Sequence, residues 1–154
     1  MYNMIVIGYQ GIGKSSLAAN NIKCIDLESG NFWFEENGKH VRHDNWYLAY
    51  TNIAKSLSEQ GYVVFVSSHE VVRNNLKDTD EQVVVCCPSL DLKTEWIEKL
   101  RKRFETFGLE KDYKAYMNAK DRYSENIKEI INSGFEVKLI KSMDYKLEEV
   151  LGIY

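Results

Sequence analysis

The chain of 154 residues is poor in cysteine and proline and has no long apolar run. It contains three cysteines, none of them in Cys-x-x-Cys spacing, and an odd number of cysteines argues against a disulfide scaffold. No apolar run approaches the roughly 20 residues that a membrane-spanning helix needs. A strand pattern that begins at Met4 leaves no room for a signal peptide. We therefore expect a cytoplasmic protein with reduced cysteines and no membrane partner.

The chain also lacks a large excess of charge of either sign. Its net charge is −3, which disfavours a bulk electrostatic grip on duplex nucleic acid but leaves a local basic groove open. Apolar residues make up 44% and charged residues 28%, values that are ordinary for a globular protein. A chain of this length suits one domain, so we expect a single domain over residues 1–154. The oligomeric state stays open, with a homodimer as one alternative.

Short apolar runs alternate with longer amphipathic stretches along the sequence. The runs are rich in β-branched residues and almost wholly apolar, as in strands that are buried on both faces of a parallel sheet. They cover residues 4–7, 24–27, 62–66, 83–87 and 135–140. Helices are predicted over 45–59, 91–107 and 111–132, where apolar residues recur at three- and four-residue spacing. Ile53 lies on the apolar face of the first helix and Tyr113 on that of the third, and Gly108 is a natural cap or hinge between the last two. This alternation predicts an α/β fold with a parallel sheet and right-handed crossovers.

One motif carries its own chemistry. Residues 8–15 read Gly-Tyr-Gln-Gly-Ile-Gly-Lys-Ser, a complete G-x-x-x-x-G-K-[ST] phosphate loop between a strand pattern and a short helical pattern. Its glycines let successive backbone N–H groups turn toward a polyphosphate, Lys14 can reach the β- and γ-phosphates, and the Ser15 hydroxyl can ligate Mg²⁺. The residues expected to bind the nucleotide cofactor are Gly8, Gly11, Ile12, Gly13, Lys14, Ser15 and Ser16.

Two carboxylates follow the second apolar run. Ligands of open α/β sheets bind at the carboxyl ends of the strands, and phosphoryl transfer needs carboxylates there. Asp26 and Glu28 have the same parity on a strand, so both side chains can face one side. We expect Asp26, together with Ser15, to hold Mg²⁺ and Glu28 to approach the acceptor hydroxyl or a phosphate-bound water. The alternative is an ordinary acidic strand end that caps a turn.

Cations are also needed to neutralise the phosphoryl group in transfer. Arg73, after the third run, is a candidate for the acceptor phosphate, whereas nearby His69 is more often structural in such a position. Arg101 and Arg103 lie in a basic cluster before Gly108, within residues 99–112 that we interpret as a lid. The alternative for this cluster is a solvated helix face.

The polar segment 29–43 contains Phe32 and Trp33 and is predicted to form a small hairpin or an acceptor-side flap. Aromatic faces in such a loop can stack on a flat base and exclude water. Arg42 and His43 stand beside them in the chain, where they can pair with a phosphate or a base edge.

The chain resembles the P-loop kinases that phosphorylate small molecules, namely nucleoside monophosphate kinases and their gluconate and shikimate kinase relatives. The resemblance rests on the phosphate loop, the acidic strand end at 24–28, the segment 67–73 and the arginine-bearing helix around 100–103. The segments 25–29 and 31–33 also look like small nucleotide kinases encoded by phages.

This resemblance implies a three-layer α/β/α P-loop NTPase fold, a five-stranded parallel sheet in the order 2-3-1-4-5, and a helical lid. It implies ATP and Mg²⁺ as cofactors and a (deoxy)nucleoside monophosphate as the acceptor. The catalytic residues it suggests are Lys14, Asp26, Glu28, Arg73, Arg101 and Arg103.

Other functions stay open at this stage. A 5′-polynucleotide kinase or another small-metabolite kinase shares the same loop, and a catalytically weak nucleotide-binding protein needs nothing more than the loop. A GTPase switch is disfavoured, because the sequence has no D-x-x-G after a strand and no N-K-x-D base-reading motif.

Overall fold

The structure of the chain, a computed structural model, describes residues 2–28, 34–36, 39–41 and 44–153, with the backbone alone for 34–36 and 39–41. Within these ranges, no helix has both the length and the apolar content that are required to cross a membrane. A short 3₁₀ turn at Leu90–Leu92 precedes the fourth helix. The elements in chain order are β1 (Met4–Gly8), α1 (Lys14–Asn20), β2 (Cys24–Asp26), β3 (Phe34–Glu36), β4 (Lys39–Val41), α2 (Trp46–Glu59), β5 (Val63–Val66), α3 (Glu70–Asn75), β6 (Gln82–Pro88), α4 (Lys93–Phe107), α5 (Glu110–Ile131), β7 (Glu136–Ile140) and α6 (Leu147–Leu151).

Five of the strands form one parallel sheet in the order β2-β5-β1-β6-β7. Counted along the chain, this is the order 2-3-1-4-5, so the predicted α/β fold and strand order are confirmed. The chain divides into two compact units, one of residues Met1–Gly8 and Lys14–Val84 and the other of residues Tyr9–Gly13 and Val85–Tyr154. The expectation of a single kinase domain over 1–154 stays a prediction.

In the first unit, β5 is flanked by β1 and β2. Met4 and Cys24 both lie opposite Val63 in the parallel register. Every residue of β1 and β5 is buried, which explains why both strands read as unbroken apolar runs. The strand β2 ends at Asp26, so Glu28 lies two residues beyond the strand, and the expectation that both carboxylates face one side stays a prediction.

The helix α2 packs on β1, β5 and α3 with a face that the sequence pattern predicted only in part. Its buried residues are Tyr50, Thr51, Ala54 and Ser58. Ile53, expected on that face, is 41% exposed. The small or polar residues Thr51 and Ser58 take the buried positions, and the Thr51 hydroxyl donates to the carbonyl of Tyr47 at 2.8 Å. A backbone partner within the helix thus allows the Thr51 side chain to be buried there.

Two short strands lie within residues 29–43, the segment for which a small hairpin was one of the two expectations. The strand β3 pairs antiparallel with β4, and Phe34 lies opposite Val41. Phe32, Trp33, Arg42 and His43, which were considered for ligand contacts, lie outside the described residues. The role of this segment as an acceptor-side flap stays a prediction.

In the second unit, α4 and α5 pack against each other. Between them Gly108 has φ +65° and caps α4, as the sequence predicted, with its N–H donating to the carbonyl of Phe104 at 2.7 Å. The buried side of α4 is formed by Trp96 and Leu100. Tyr113, predicted on the buried face of α5, is instead 46% exposed; it lies in the first turn of that helix, and its ring packs on Phe104 with centroids 5.1 Å apart.

Candidate functional site

The phosphate-loop motif joins β1 to α1. Gly8 is the last residue of β1 and Lys14 the first of α1, close to where the sequence placed these boundaries. Gly11 has φ +85° and Gly13 has φ +103°, a region that residues with side chains rarely adopt. A Cβ atom on Gly11 would lie 2.9 Å from Leu100 Cδ2 and 3.3 Å from Trp96 Nε1. The backbone therefore requires glycine at Gly11 for its conformation and for the space around it.

The carbonyl groups of this loop are held by aromatic side chains. The indole Nε1 of Trp96 donates to the carbonyl of Gln10 at 2.8 Å. The hydroxyl of Tyr145 donates to the carbonyl of Ile12, also at 2.8 Å, and itself accepts a hydrogen bond from Lys99 Nζ at 2.8 Å. Sequence reasoning missed these contacts, because Tyr145 and Ile12 are 133 positions apart and belong to no common motif.

Ser15 and Asp26, the predicted metal ligands, lie next to each other. The Ser15 hydroxyl donates to Asp26 Oδ2 at 2.8 Å, because α1 packs on β2 and brings its first turn to the end of that strand. Ser15 and Ser16 are exposed in this turn, and Lys14 is half-buried. The structure thus places a hydroxyl and a carboxylate oxygen together, and both are oxygen ligands of the kind that Mg²⁺ prefers.

Within the described parts of the chain, no three His, Cys, Asp or Glu side chains gather as a metal-binding group. A kinase-type Mg²⁺ site does not need such a group, since one or two carboxylates, substrate phosphates and waters complete its coordination. The hydroxyl of Ser15 and the carboxylate of Asp26 therefore fit the metal that the phosphate-loop motif implies.

Tyr50 joins the carboxyl ends of β2 and β5. Its hydroxyl donates to the carbonyl of Leu27 at 2.7 Å and accepts from the N–H of Ser67 at 2.8 Å. Burial raises the pKa of Tyr50 to about 12, with further contributions from the negative charges of Asp26 and Glu28. The hydroxyl stays protonated at neutral pH and keeps the two strand ends in a fixed relation. Asp26 and the exposed Glu28 flank the Leu27 carbonyl that it holds.

Just beyond β5, Ser67 and His69 form a second polar pair. The Ser67 hydroxyl and His69 Nδ1 are 2.7 Å apart. The rings of Trp46 and His69 are nearly perpendicular, and their centroids are 5.7 Å apart. His69 is exposed and precedes α3, so it is within reach of a ligand at this end of the sheet. Its participation stays open.

The predicted acceptor-binding arginine, Arg73, is largely buried. It is 7% exposed, and its Nε donates to the carbonyl of Ser68 at 3.1 Å. This contact stabilises the turn between β5 and α3. The guanidinium of Arg73 thus contacts the turn that carries Ser67 and His69. A role of Arg73 in binding an acceptor phosphate stays a prediction.

The two predicted lid arginines have carboxylate partners within the second unit. Arg101 is paired with Glu98 and Glu105 on its own helix, and its Nε donates to Glu98 Oε2 at 2.9 Å. Arg103 Nε lies 3.2 Å from Asp112 Oδ1, and the Asp112 side chain is buried. To act on a transferring phosphate, each arginine has to exchange a carboxylate for it, so their catalytic roles stay predictions.

Comparison with known proteins adds no family, since no protein-family model and no curated protein matches the chain. The chemistry of the site therefore rests on its own residues. The motif supplies the phosphate loop, the packing of α1 on β2 joins Ser15 to Asp26, and Tyr50 ties together the strand ends beside them.

Proposed function

We propose that the protein is an ATP- and Mg²⁺-dependent kinase that transfers a phosphoryl group to a small acceptor, with a (deoxy)nucleoside monophosphate as the acceptor to test first. The observation that carries the proposal is the phosphate loop, in which Gly11 and Gly13 have positive φ and Ser15 is hydrogen-bonded to Asp26. The helix α1 is only seven residues long, so in this proposal the amides of the loop, rather than a helix dipole, bind the phosphates.

Each residue of the loop has a distinct task in this proposal. The backbone N–H groups of residues 11–15 and the Lys14 ammonium bind the phosphates and neutralise their charge. Ser15 and Asp26 hold Mg²⁺, which when bound withdraws electron density from the phosphate oxygens. In-line transfer needs little covalent chemistry from the protein, so positioning and charge are its main contributions.

The acceptor is held at the ends of β2 and β5. Glu28 is exposed just past β2, where it can accept the proton of an acceptor hydroxyl or orient a phosphate-bound water. Arg73, Arg101 and Arg103 remain the candidates for neutralising charge in the transition state. The resemblance to nucleoside monophosphate kinases supports this assignment of roles.

The same proposal includes the cellular compartment and the partners of the protein. We infer a cytoplasmic enzyme with a small nucleotide substrate and without a nucleic-acid or membrane partner. The net charge of −3 supports a small substrate rather than duplex nucleic acid. The burial of Cys24, Cys86 and Cys87 as strand residues supports a reducing compartment. The oligomeric state is left open.

The decisive experiment compares wild type with Lys14→Ala. Mg²⁺·ATP binding is measured by calorimetry, and phosphoryl transfer is assayed with a panel of nucleoside monophosphates, gluconate, shikimate and a 5′-hydroxyl oligonucleotide. Loss of the ammonium beside the phosphates is expected to lower turnover by about 10²–10³-fold. Lys120→Ala, on the exposed side of α5, is the matched control and is expected to leave turnover unchanged.

The outcomes separate the alternatives. Equal turnover by Lys14→Ala and wild type would remove the phosphate loop as the site. ATP binding without transfer to any acceptor of the panel would favour a nucleotide-binding protein instead of a kinase. Transfer to the oligonucleotide alone would identify a polynucleotide kinase.

A further inference from the structure

Three side chains outside the motif, Trp96, Lys99 and Tyr145, contact the carbonyl side of the phosphate loop or each other. We propose that they are positioning residues that aim the N–H groups of Gly11 and Gly13 at a bound polyphosphate. We call these three residues the loop brace. The inference rests on the proposed function, because it concerns the same loop.

In a trans peptide, the C=O and N–H groups point in opposite directions. The described residues contain no cis peptide bond. The Trp96 indole holds the carbonyl of Gln10 at 2.8 Å, which fixes the direction of the N–H of Gly11. The Tyr145 hydroxyl holds the carbonyl of Ile12 at 2.8 Å, which fixes the direction of the N–H of Gly13. Both N–H groups therefore point away from the brace.

These two peptide groups need contacts from outside the loop to fix their orientation. Gly11 and Gly13 are the residues with the greatest backbone freedom in the loop, and both have positive φ. Without the two carbonyl contacts, rotation about the glycine bonds could turn a carbonyl instead of an N–H toward the phosphates. A carbonyl oxygen would repel an anion, so the orientation of each peptide group affects affinity directly.

Lys99 contacts both aromatic members of the loop brace. Its Nζ donates to the Tyr145 hydroxyl at 2.8 Å and lies 4.4 Å from the centroid of the Trp96 ring and 5.0 Å from that of Tyr145. The two rings are stacked with centroids 5.9 Å apart. Because the hydroxyl accepts from Lys99, its single proton is directed to the loop, where the carbonyl of Ile12 at 2.8 Å is a nearer acceptor than the carbonyl of Gly11 at 3.4 Å. Burial raises the pKa of Tyr145 to about 12, so that proton is retained at neutral pH.

These contacts give the brace a consequence that packing alone does not have. Each donor ends on a different peptide group, so removal of one donor should disturb one glycine amide more than the other. Loss of the Trp96 donor should affect Gly11, and loss of the Tyr145 donor should affect Gly13. A role limited to core packing would spread the disturbance over both amides or lower stability alone.

The experiment uses the full chain labelled with ¹⁵N-glycine and the variants Trp96→Phe, Tyr145→Phe and Lys99→Met. Lys99→Arg is the rescue variant, since it keeps a cationic donor. Tyr113→Phe is the matched control for loss of a tyrosine hydroxyl, because Tyr113 is 46% exposed on α5. The glycine amide resonances are recorded without ligand, and affinity is measured for Mg²⁺·ATP and for Mg²⁺·tripolyphosphate.

We expect Tyr145→Phe and Lys99→Met to move the Gly13 amide and Trp96→Phe to move the Gly11 amide, while the Gly134 amide stays in place. Each of these variants should bind tripolyphosphate about tenfold more weakly, since one net hydrogen bond is worth about that factor. Lys99→Arg and Tyr113→Phe should bind like wild type. Tyr145→Phe and Lys99→Met alter half-buried side chains, so they keep the test decisive if Trp96→Phe does not fold.

The failures of the two proposals are distinguishable. If wild type binds neither Mg²⁺·ATP nor Mg²⁺·tripolyphosphate, the proposed function is refuted and the positioning role with it. If wild type binds both, while Tyr145→Phe and Lys99→Met bind as tightly as Tyr113→Phe and leave the Gly13 amide unmoved, the positioning role alone is refuted.

Discussion

Replacing Gly11 with alanine tests the packing around the phosphate loop. The new Cβ would lie 2.9 Å from Leu100 Cδ2 and 3.3 Å from Trp96 Nε1. Leu100 is 2% exposed and Trp96 is 0% exposed, so both side chains would have to shift within the packed interior to accommodate it. Overpacking of this kind costs about 1–3 kcal/mol. A non-glycine residue at the φ of +85° adds about 1–2 kcal/mol, so we expect a loss of about 2–5 kcal/mol in the free energy of unfolding.

The matched control is Gly134→Ala in the same compact unit. Gly134 has φ +93°, but nothing lies within 4 Å of its ideal Cβ position. This variant should therefore show the backbone cost alone, about 1–2 kcal/mol. The difference between the two variants, about 1–3 kcal/mol, measures the steric contribution of Leu100 and Trp96. Urea unfolding followed by circular dichroism gives both free energies.

Equal losses in Gly11→Ala and Gly134→Ala would refute the reasoning. They would mean that the Cβ added at position 11 finds room, and hence that Trp96 and Leu100 do not press on the loop as described. A larger loss in Gly11→Ala, accompanied by weaker Mg²⁺·ATP binding, would link the packing of the loop to its proposed ligand.

Two further predictions concern a carboxylate and the buried thiols. Asp26→Asn is expected to lower kcat by about 10²-fold with little change in Mg²⁺·ATP affinity. The control Asp121→Asn, at an exposed position of α5, should change neither kcat nor affinity. A loss of affinity alone in Asp26→Asn would reduce Asp26 to a positioning role. Burial raises the pKa of Cys86 and Cys87 to about 12, so above pH 9 the unfolded chain loses thiol protons that the folded chain keeps. The stability that this contributes is complete below pH 9 and falls as the pH rises toward 12, by up to about 1.4 kcal/mol per pH unit and thiol. Urea unfolding at pH 8.5 and 10 should show a smaller decline in the Cys86→Ala/Cys87→Ala double variant, and an equal decline would contradict the assignment.

The strands were predictable from sequence because their burial requires a continuous run of apolar residues. Strands covered on both faces must be apolar at almost every position, so β1 and β5 stand out as unbroken runs. The face of α2 was harder to predict, because a helix buries a stripe whose exact rotation depends on its neighbours. Packing on β1, β5 and α3 buries Thr51 and Ser58 and leaves Ile53 exposed. Helical periodicity alone does not predict which elements the helix packs on.

The candidate site likewise has one part that the sequence predicts and another part that only the packing determines. Residues 8–15 are contiguous, so the glycines, Lys14 and Ser15 could be recognised together, and Asp26 followed from the rule that ligands bind at strand ends. The buried position of Arg73 and the carboxylate partners of Arg101 and Arg103 could not be inferred, since each depends on which side chains the packed helices bring near.

By itself, the chain's order of residues determined the apolar strands, the helix-capping Gly108 and the phosphate-loop motif, all of which depend on neighbours within a few positions. Tertiary structure alone decided that Ser15 meets Asp26, that Tyr50 links Leu27 to Ser67, and that Tyr145 holds Ile12 across 133 positions. The physical reason is that backbone conformation and the pattern of burial depend mainly on residues that are close together in the sequence. A hydrogen bond between distant residues exists only after the whole chain has packed and excluded other partners.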